Sequence, residues 1–346
     1  MSNVNRQLLF VKRPVGAPTE DIFELVEAPM PVPGEGEFVL RNQFIAMDPA
    51  LVSRMRDEDN YAESATPGAA MHAYAVAEVV ASNNEAAPVG QMRFGRFDMQ
   101  EYMLADAATG GFPIDTSIAP ASWYLGVLGT TGVTAYLSLF DICAPQSGET
   151  LVISSAGSSV GSIVAQLAKD AGCRVVGIVS TDGKAARVKA DYGYDAVVSY
   201  RGKSPEALAG DLARVCPDGV DMYYDNTSGD ISEALLDLYN INARIAVIGR
   251  MGISHLSDTR EDVGRRDNNV ILAKRIRKQG WVLLDHLDRM IEAMLALVEL
   301  AKADKLTVKE DIMHGIEAVP AAFFRMLRGE NDGKQLVQLY NSEGGE

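Results

Sequence analysis

The chain has 346 residues, enough for two domains with a sizeable core. It is 47% apolar and 23% charged, with a net charge of −15, which argues against a general nucleic-acid-binding surface and for simple solubility. Cys143, Cys173 and Cys216 follow no metal or disulfide spacing, and the N-terminal stretch MSNVNRQLLFVKRP lacks the apolar core of a signal peptide, so a cytoplasmic protein is expected.

Residues 6–121 show short strands and turns, with strands expected at 7–12, 38–44, 73–81 and 101–105 and a proline-glycine cluster, APMPVPGEGE, after the first. The stretch MDPALVSRMRDEDNYAESATPG at 47–68 is polar and reads as a loop suited to rimming a pocket. Residues 123–140 are uncharged but rich in threonine, glycine and serine, and read as a buried helix rather than a membrane span.

From about residue 126 the pattern changes. An apolar run at 151–153 meets a small-residue turn, SSAGSSVG. A helix follows, with Ile163, Leu167 and Ala168 on one side and Gly172 at its close, and then a second apolar run at 174–179. Strand, turn, helix and strand form a βαβ unit whose turn opens a helix, where backbone N–H groups and the helix dipole favour a bound pyrophosphate. Ala156 and Ser158 stand where two glycines of the G-x-G-x-x-G pattern usually sit, and only Gly161 keeps its place, allowing close helix–strand packing. Ser158 can still donate to phosphate through its N–H and hydroxyl. The unit points to a dinucleotide.

The second strand ends at Ser180-Thr181, with Asp182 just beyond. Thr181 or Asp182 reads as the N-cap of the next helix rather than as a ribose-binding acid. Lys184 then falls in the first helical turn, where the dipole disfavours a cation unless an anion is near. A ribose 2′-phosphate supplies that anion, which points to NADP. The alternative is an exposed surface lysine.

Further apolar runs at 196–198, 222–224, 244–248 and 282–284 alternate with helical stretches at 183–191, 204–215, 230–240 and 286–303. Six parallel strands in a doubly wound sheet are expected. Residues 251–269 are long for a βα connection, and read either as a lid over the nicotinamide or as a loop carrying extra helix. The tail returns to short strands, at 334–340, and is expected to rejoin the N-terminal domain. The division is therefore 1–125 with 305–346, and 126–304.

The stretches MDPALVSRM, FDMQEYMLAD, LGVLGTTGVTAY, GETLVISSAGSSVGSIVAQLAK, GIVSTDGK, YYDNTSG and EDIMHGIEAVPAAFFRMLRGENDGKQLV occur in that order. In them the chain resembles the medium-chain dehydrogenase/reductase superfamily, and within it the zinc-independent alkenal/one and prostaglandin reductases. The resemblance implies an α/β protein, a GroES-like β-barrel joined to a Rossmann domain, with the active site in the cleft between them. It implies Ser158, Ser159 and Val160 at the pyrophosphate, Thr181 as a cofactor contact, and Lys184 and Tyr200 at the 2′-phosphate. For Tyr200 the alternative is a ring packing at a strand end. It also implies Asn226 beside the cofactor, with Thr134, Gly249, Trp281, Leu283 and Asn331 lining the nicotinamide end. A homodimer is expected from the same resemblance.

Zinc-dependent relatives need a cysteine, a Gly-His-Glu and a further ligand, plus four clustered cysteines for a structural metal. Here His72 is flanked by Met71 and Ala73, and no cysteine precedes Cys143, so no metal site is expected. A second departure follows the fifth strand. Where these reductases usually carry a tyrosine-asparagine pair, this chain has Ser254 and His255. Ser254 can keep a ribose hydrogen bond with less reach, and His255 is either an acid or a solvated loop residue. Tyr61, on the loop after MDPALVSRM, is then the phenol expected to stabilise the enolate, the alternative being that it only covers the substrate while water supplies the proton. The expected reaction is hydride transfer from NADPH to the β-carbon of an α,β-unsaturated aldehyde or ketone. The rivals are an NADPH quinone oxidoreductase and a non-catalytic NADPH-binding protein.

Overall fold

The computed structural model describes residues 4–57, 63–256 and 258–340. The chain divides into two compact units, one made of residues up to Gly126 together with those from Glu310 onward, the other of Val127–Lys309.

The first unit opens with β1 (Val4–Phe10), β2 (Phe23–Pro29), β3 (Phe38–Ala46), β4 (Ala69–Ala70), β5 (His72–Ser82), β6 (Met92–Asp98), β7 (Tyr102–Ala105) and β8 (Phe112–Pro113), with the short α1 (Ala50–Arg54) after β3. β1 lies between β2 and β4 in a small sheet. β2 and β6 were not anticipated. β2 reads FELVEAP, whose glutamates fill the exposed positions of a half-buried strand, and β6 reads MRFGRFD, alternating buried and less buried residues through two arginines. Period-2 burial holds along β6, where arginines hide it in the sequence, while β2 lacks a strict alternation to read.

In the second unit the helix expected over residues 123–140 is two pieces. A 3₁₀ turn, Ala121–Leu125, ends in the first unit, and α2 (Thr130–Ser138) begins after the loop holding Gly126 and Gly129. The doubly wound core then follows as β9 (Thr150–Ser154), α3 (Ser159–Asp170), β10 (Arg174–Val179), α4 (Asp182–Tyr192), β11 (Ala196–Ser199), α5 (Pro205–Val215), β12 (Val220–Asp225), α6 (Asp230–Glu233), β13 (Tyr239–Val247), α7 (Asn268–Lys274), β14 (Arg277–Gly280) and α8 (Met290–Lys302). All five residues of β9 are buried, as a strand covered on both faces requires. The six strands are parallel in the order β11-β10-β9-β12-β13-β14. The order reverses between β9 and β12, the place where such sheets bind their ligands.

Two expectations about this sheet need correction. The sixth strand is Arg277–Gly280, not residues 282–284, which lead into a 3₁₀ turn, Leu283–Arg289. All four residues of β14 are exposed, so an edge strand held by backbone bonds to β13 carries no apolar signature. The helix expected over 230–240 stops at Glu233, and β13 begins earlier, at Tyr239. Between β13 and β14 the chain forms two 3₁₀ turns, Met251–Ile253 and Thr259–Glu261, and then α7, so the long connection does carry extra helix.

The chain then returns to the first unit through β15 (Glu310–His314), α9 (Val319–Leu327) and β16 (Lys334–Gln338). β15 pairs in parallel with β16, and β16 lies antiparallel to β3, giving the larger sheet its order β15-β16-β3-β5-β6-β8, with β7 also on β3. α9 was not anticipated, although Val319, Ala322, Phe323 and Met326 form a buried stripe at helical spacing. Phe323 meets Phe23 edge to face at 5.7 Å, in a core that includes Leu40, Phe97 and Val337. Cys143, Cys173 and Cys216 are unbridged and buried in the second unit. Burial pushes the Cys143 thiol up to about 12, and those of Cys173 and Cys216 up to about 11.

Candidate functional site

The site is built at the carboxyl ends of the parallel strands. After β9 the chain turns at Ser155, in the left-handed region at φ 51°, and the Ala156 amide donates to Ile178 O at 3.0 Å, stitching the turn to β10. Ser158 is the N-cap of α3, its hydroxyl oxygen accepting from Gly161 N at 3.1 Å. Its own N–H is taken by Ser155 O at 2.8 Å, so of the two donors expected from Ser158 only the hydroxyl proton remains for a ligand. The first intrahelical bond runs from Ser162 N to Ser158 O at 2.9 Å, which leaves the amides of Ser159 and Val160 ahead of it at the positive end of the helix. Gly161 is required by contact: a Cβ there would lie 2.6 Å from Ser155 O. Tyr194, which the sequence did not single out, sits beneath this turn. Its buried hydroxyl lies 2.9 Å from Ala156 O and 3.0 Å from Gly161 O, and burial holds the phenol well above its ordinary pKa.

At the end of β10, Thr181 is the N-cap of α4 and accepts from Lys184 N at 3.3 Å. The Lys184 side chain folds back over the first turn. A Cβ on Gly157 would lie 2.7 Å from Lys184 Cε and 3.6 Å from Nζ, so the ammonium stands beside the glycine that the turn pattern had left unassigned. Tyr200 is half-buried just after β11, its amide donating to Val179 O at 3.0 Å. Thr181, Lys184 and Tyr200 are thus brought to the ends of neighbouring strands β10 and β11.

Where the strand order reverses, Asn226 ties β12 to β9: its N–H donates to Ser154 Oγ and its Nδ2 to Ser154 O, each at 2.8 Å. The buried Asp225 carboxylate fixes the following loop, accepting from Thr227 N at 3.0 Å, Ser228 N at 2.7 Å, Tyr223 OH at 3.0 Å and Ser232 Oγ at 2.7 Å. Gly249 closes on this loop, because a Cβ there would meet Asn226 O at 2.8 Å. Thr134 is half-buried in α2, its carbonyl accepting from Ser138 Oγ, which bonds in turn to Tyr224 OH. Trp281 donates its backbone N–H to Val247 O at 3.2 Å and stacks on His286 at 4.7 Å, and half-buried Leu283 starts the next 3₁₀ turn. Ser254 is half-buried, with Oγ donating to Met251 O at 2.9 Å, and His255 beside it is exposed.

Two further residues fall elsewhere. Asn331 belongs to the first unit, where it is buried with Nδ2 donating to Gly333 O at 2.7 Å. Tyr61 lies outside the described residues.

These residues fit a dinucleotide. Buried polar groups are normally paired, yet Thr227 Oγ1 and Trp281 Nε1 are buried with no hydrogen-bond partner among the described residues, and both lie just past the carboxyl ends of sheet strands. With the α3 amides and Lys184, they supply donors for phosphate and for polar ligand atoms. Among the described residues no three His, Cys, Asp or Glu side chains gather to hold a metal ion. His72 Nδ1 pairs instead with Asp98 Oδ1 at 2.6 Å. Among the described residues no helix is long and apolar enough to cross a membrane.

Residues 6–111 match the family model for the N-terminal domain of oxidoreductases, and residues 159–299 match that of the zinc-binding dehydrogenases. YfmJ of Bacillus subtilis (strain 168), whose name places it among the NADP-dependent oxidoreductases, is 38% identical over 98% of this chain and 99% of its own. The NADP-dependent 2-alkenal reductase of Nicotiana tabacum is 33% identical, with 97% of each chain covered. The crystal structure of CurA from Vibrio vulnificus in complex with NADPH superposes with a TM-score of 0.89 at 33% identity, over 97% of this chain and 99% of that one. The chain belongs to the medium-chain dehydrogenase/reductase superfamily, with its GroES-like N-terminal fold and its six-stranded Rossmann sheet.

Proposed function

We propose that this protein is an NADPH-dependent reductase of the carbon–carbon double bond of α,β-unsaturated aldehydes and ketones. The observation that carries the reading is the match, over 97% of each chain, to a 2-alkenal reductase, joined to a backbone likeness to an NADPH-bound relative. When bound, NADPH supplies the hydride delivered to the β-carbon. The chain's own residues do the rest. The Ser159 and Val160 amides and the Ser158 hydroxyl hold the pyrophosphate, while Thr181, Lys184 and Tyr200 hold the 2′-phosphoribose. Asn226, Gly249, Thr134, Trp281 and Leu283 line the nicotinamide end, and Ser254 donates to its ribose. Tyr61 donates to the developing enolate oxygen in place of the family tyrosine that Ser254 replaces.

Residues 126–304 form the nucleotide domain in this reading, and 1–125 with 305–346 the catalytic one. The protein works as a cytoplasmic homodimer. Its chemistry needs no metal, because the carbonyl already makes the β-carbon electrophilic. Incubation with NADPH and a panel of enals, enones and quinones, following nicotinamide absorbance, tests the activity. Oxidation with enals and enones supports it, oxidation with quinones alone makes the protein a quinone reductase, and oxidation with none makes it a binding protein.

A further inference from the structure

Asp182 is an acidic side chain in the first turn of α4, three residues beyond the end of β10 and close to where NAD-preferring sites hold the ribose diol. A carboxylate there would repel a 2′-phosphate. In this protein its Oδ1 accepts a hydrogen bond from Ser199 Oγ at 2.5 Å. Ser199 is the last residue of β11, paired in register with Val179 of β10, and is 7% exposed. Lys203 fixes the same strand end, its Nζ donating to Ser199 O at 2.7 Å and to Asp211 Oδ2 at 2.6 Å.

Lys184, two residues along the same helical turn, goes the other way and lies over Gly157 in the turn after β9. Residues at i and i+2 do not share a helix face. Because β10 stands between β11 and β9, the carboxylate and the ammonium leave opposite sides of its end. The charge that suits a phosphate is turned towards the pyrophosphate turn, and the charge that opposes it is turned towards β11.

We propose that Ser199 is a specificity-determining positioning residue. Its hydroxyl holds the Asp182 carboxylate against β11, so that the acid at the start of α4 does not reach the cofactor ribose and NADP is accepted over NAD. This rests on the assignment of Lys184 to the 2′-phosphate, and the test separates the two.

Dissociation constants for NADPH and NADH are measured by fluorescence titration for the full-length wild type, Ser199→Ala, Ser199→Thr, the Ser199→Ala/Asp182→Asn pair and Lys184→Ala. With the hydroxyl gone and the carboxylate released, the preference for NADPH over NADH should fall roughly tenfold. Ser199→Thr, which keeps the hydroxyl, should retain the preference, and the double variant, which keeps no carboxylate, should regain it. A merely structural role for Ser199 would weaken both cofactors together. Should Ser199→Ala fail to fold, Ser199→Cys, similar in size and a much weaker donor, should shift the preference the same way. An unchanged preference in the Ser199 variants while Lys184→Ala selectively weakens NADPH overturns the proposal alone, as does a shift that Asp182→Asn leaves unreversed. Equal weakening of both cofactors by Lys184→Ala removes the phosphate assignment, and this proposal with it.

Discussion

The turns after β9 and β10 and the connection after β13 both face the carboxyl edge of one sheet, yet they are built differently. Around β9 and β10, order comes from contacts distant in sequence: Ala156 to Ile178, Tyr194 beneath Ala156 and Gly161, and Lys184 over Gly157. After β13, the Ser254 hydroxyl donates three residues back, to Met251 O, and His255 is exposed, while the Gly252 amide is among the groups that tie the connection to the loop after β12, donating to Thr227 O at 2.8 Å. The difference lies in how much each region leaves to its side chains. The first region sets a buried tyrosine and a lysine side chain around its glycines; the second brings Gly249 and Gly252 as close to the loop after β12, but leaves Ser254 half-buried and His255 exposed.

The sharpest way to break that contrast is Gly161→Val. A branched side chain would meet Ser155 O and Ala156, costing about 3 kcal/mol or more. Thermal melts with and without NADPH should show a destabilised protein that NADPH no longer rescues, and a variant that still binds NADPH normally would show that the turn has slack. Tyr61→Phe probes the phenol proposed in place of the family tyrosine. If its hydroxyl has taken over from the missing family tyrosine, turnover of an enone falls on the order of 100-fold with NADPH affinity unchanged. A change below about threefold, with chemistry rate-limiting, returns the proton to water. Lys184→Ala returns to the cofactor edge, where loss of one charge-assisted hydrogen bond, about 1.5–3 kcal/mol, should weaken NADPH roughly 10- to 100-fold and leave NADH nearly untouched. The smallest effect expected is none. Prolonged chelation should leave activity unchanged, and activity lost and then restored by zinc would place a metal in a chain whose described residues gather no ligand set.

The same contrast governs what could be read from the sequence. The βαβ unit was legible because its strands are buried on both faces and its helix carries a clear apolar stripe, so that β9, α3 and β10 fall within a residue or two of their expected places. The cap of α4 was legible to within a residue, as Thr181 or Asp182, and it is Thr181. β14 was not, since an exposed edge strand reading RKQG depends on the neighbouring backbone and not on its side chains. Tyr194 gave no signal at all: a tyrosine after a helix-ending glycine looks like any turn residue until the fold brings it under Ala156. Likewise, the hydrogen bond that holds Asp182 joins residues 17 positions apart, and only the pairing of β10 with β11 puts them together.

The state of the cysteines has a consequence for a protein that handles enals. Such compounds alkylate thiolates at the same β-carbon that accepts hydride, and a susceptible enzyme would be poisoned by its own diet. Here Cys143, Cys173 and Cys216 are at most 3% exposed, and burial raises each thiol to about 11 or 12, so almost none is ionised at neutral pH. The fold keeps its sulfur out of reach, and the protein can work amid electrophiles that would inactivate a surface thiol.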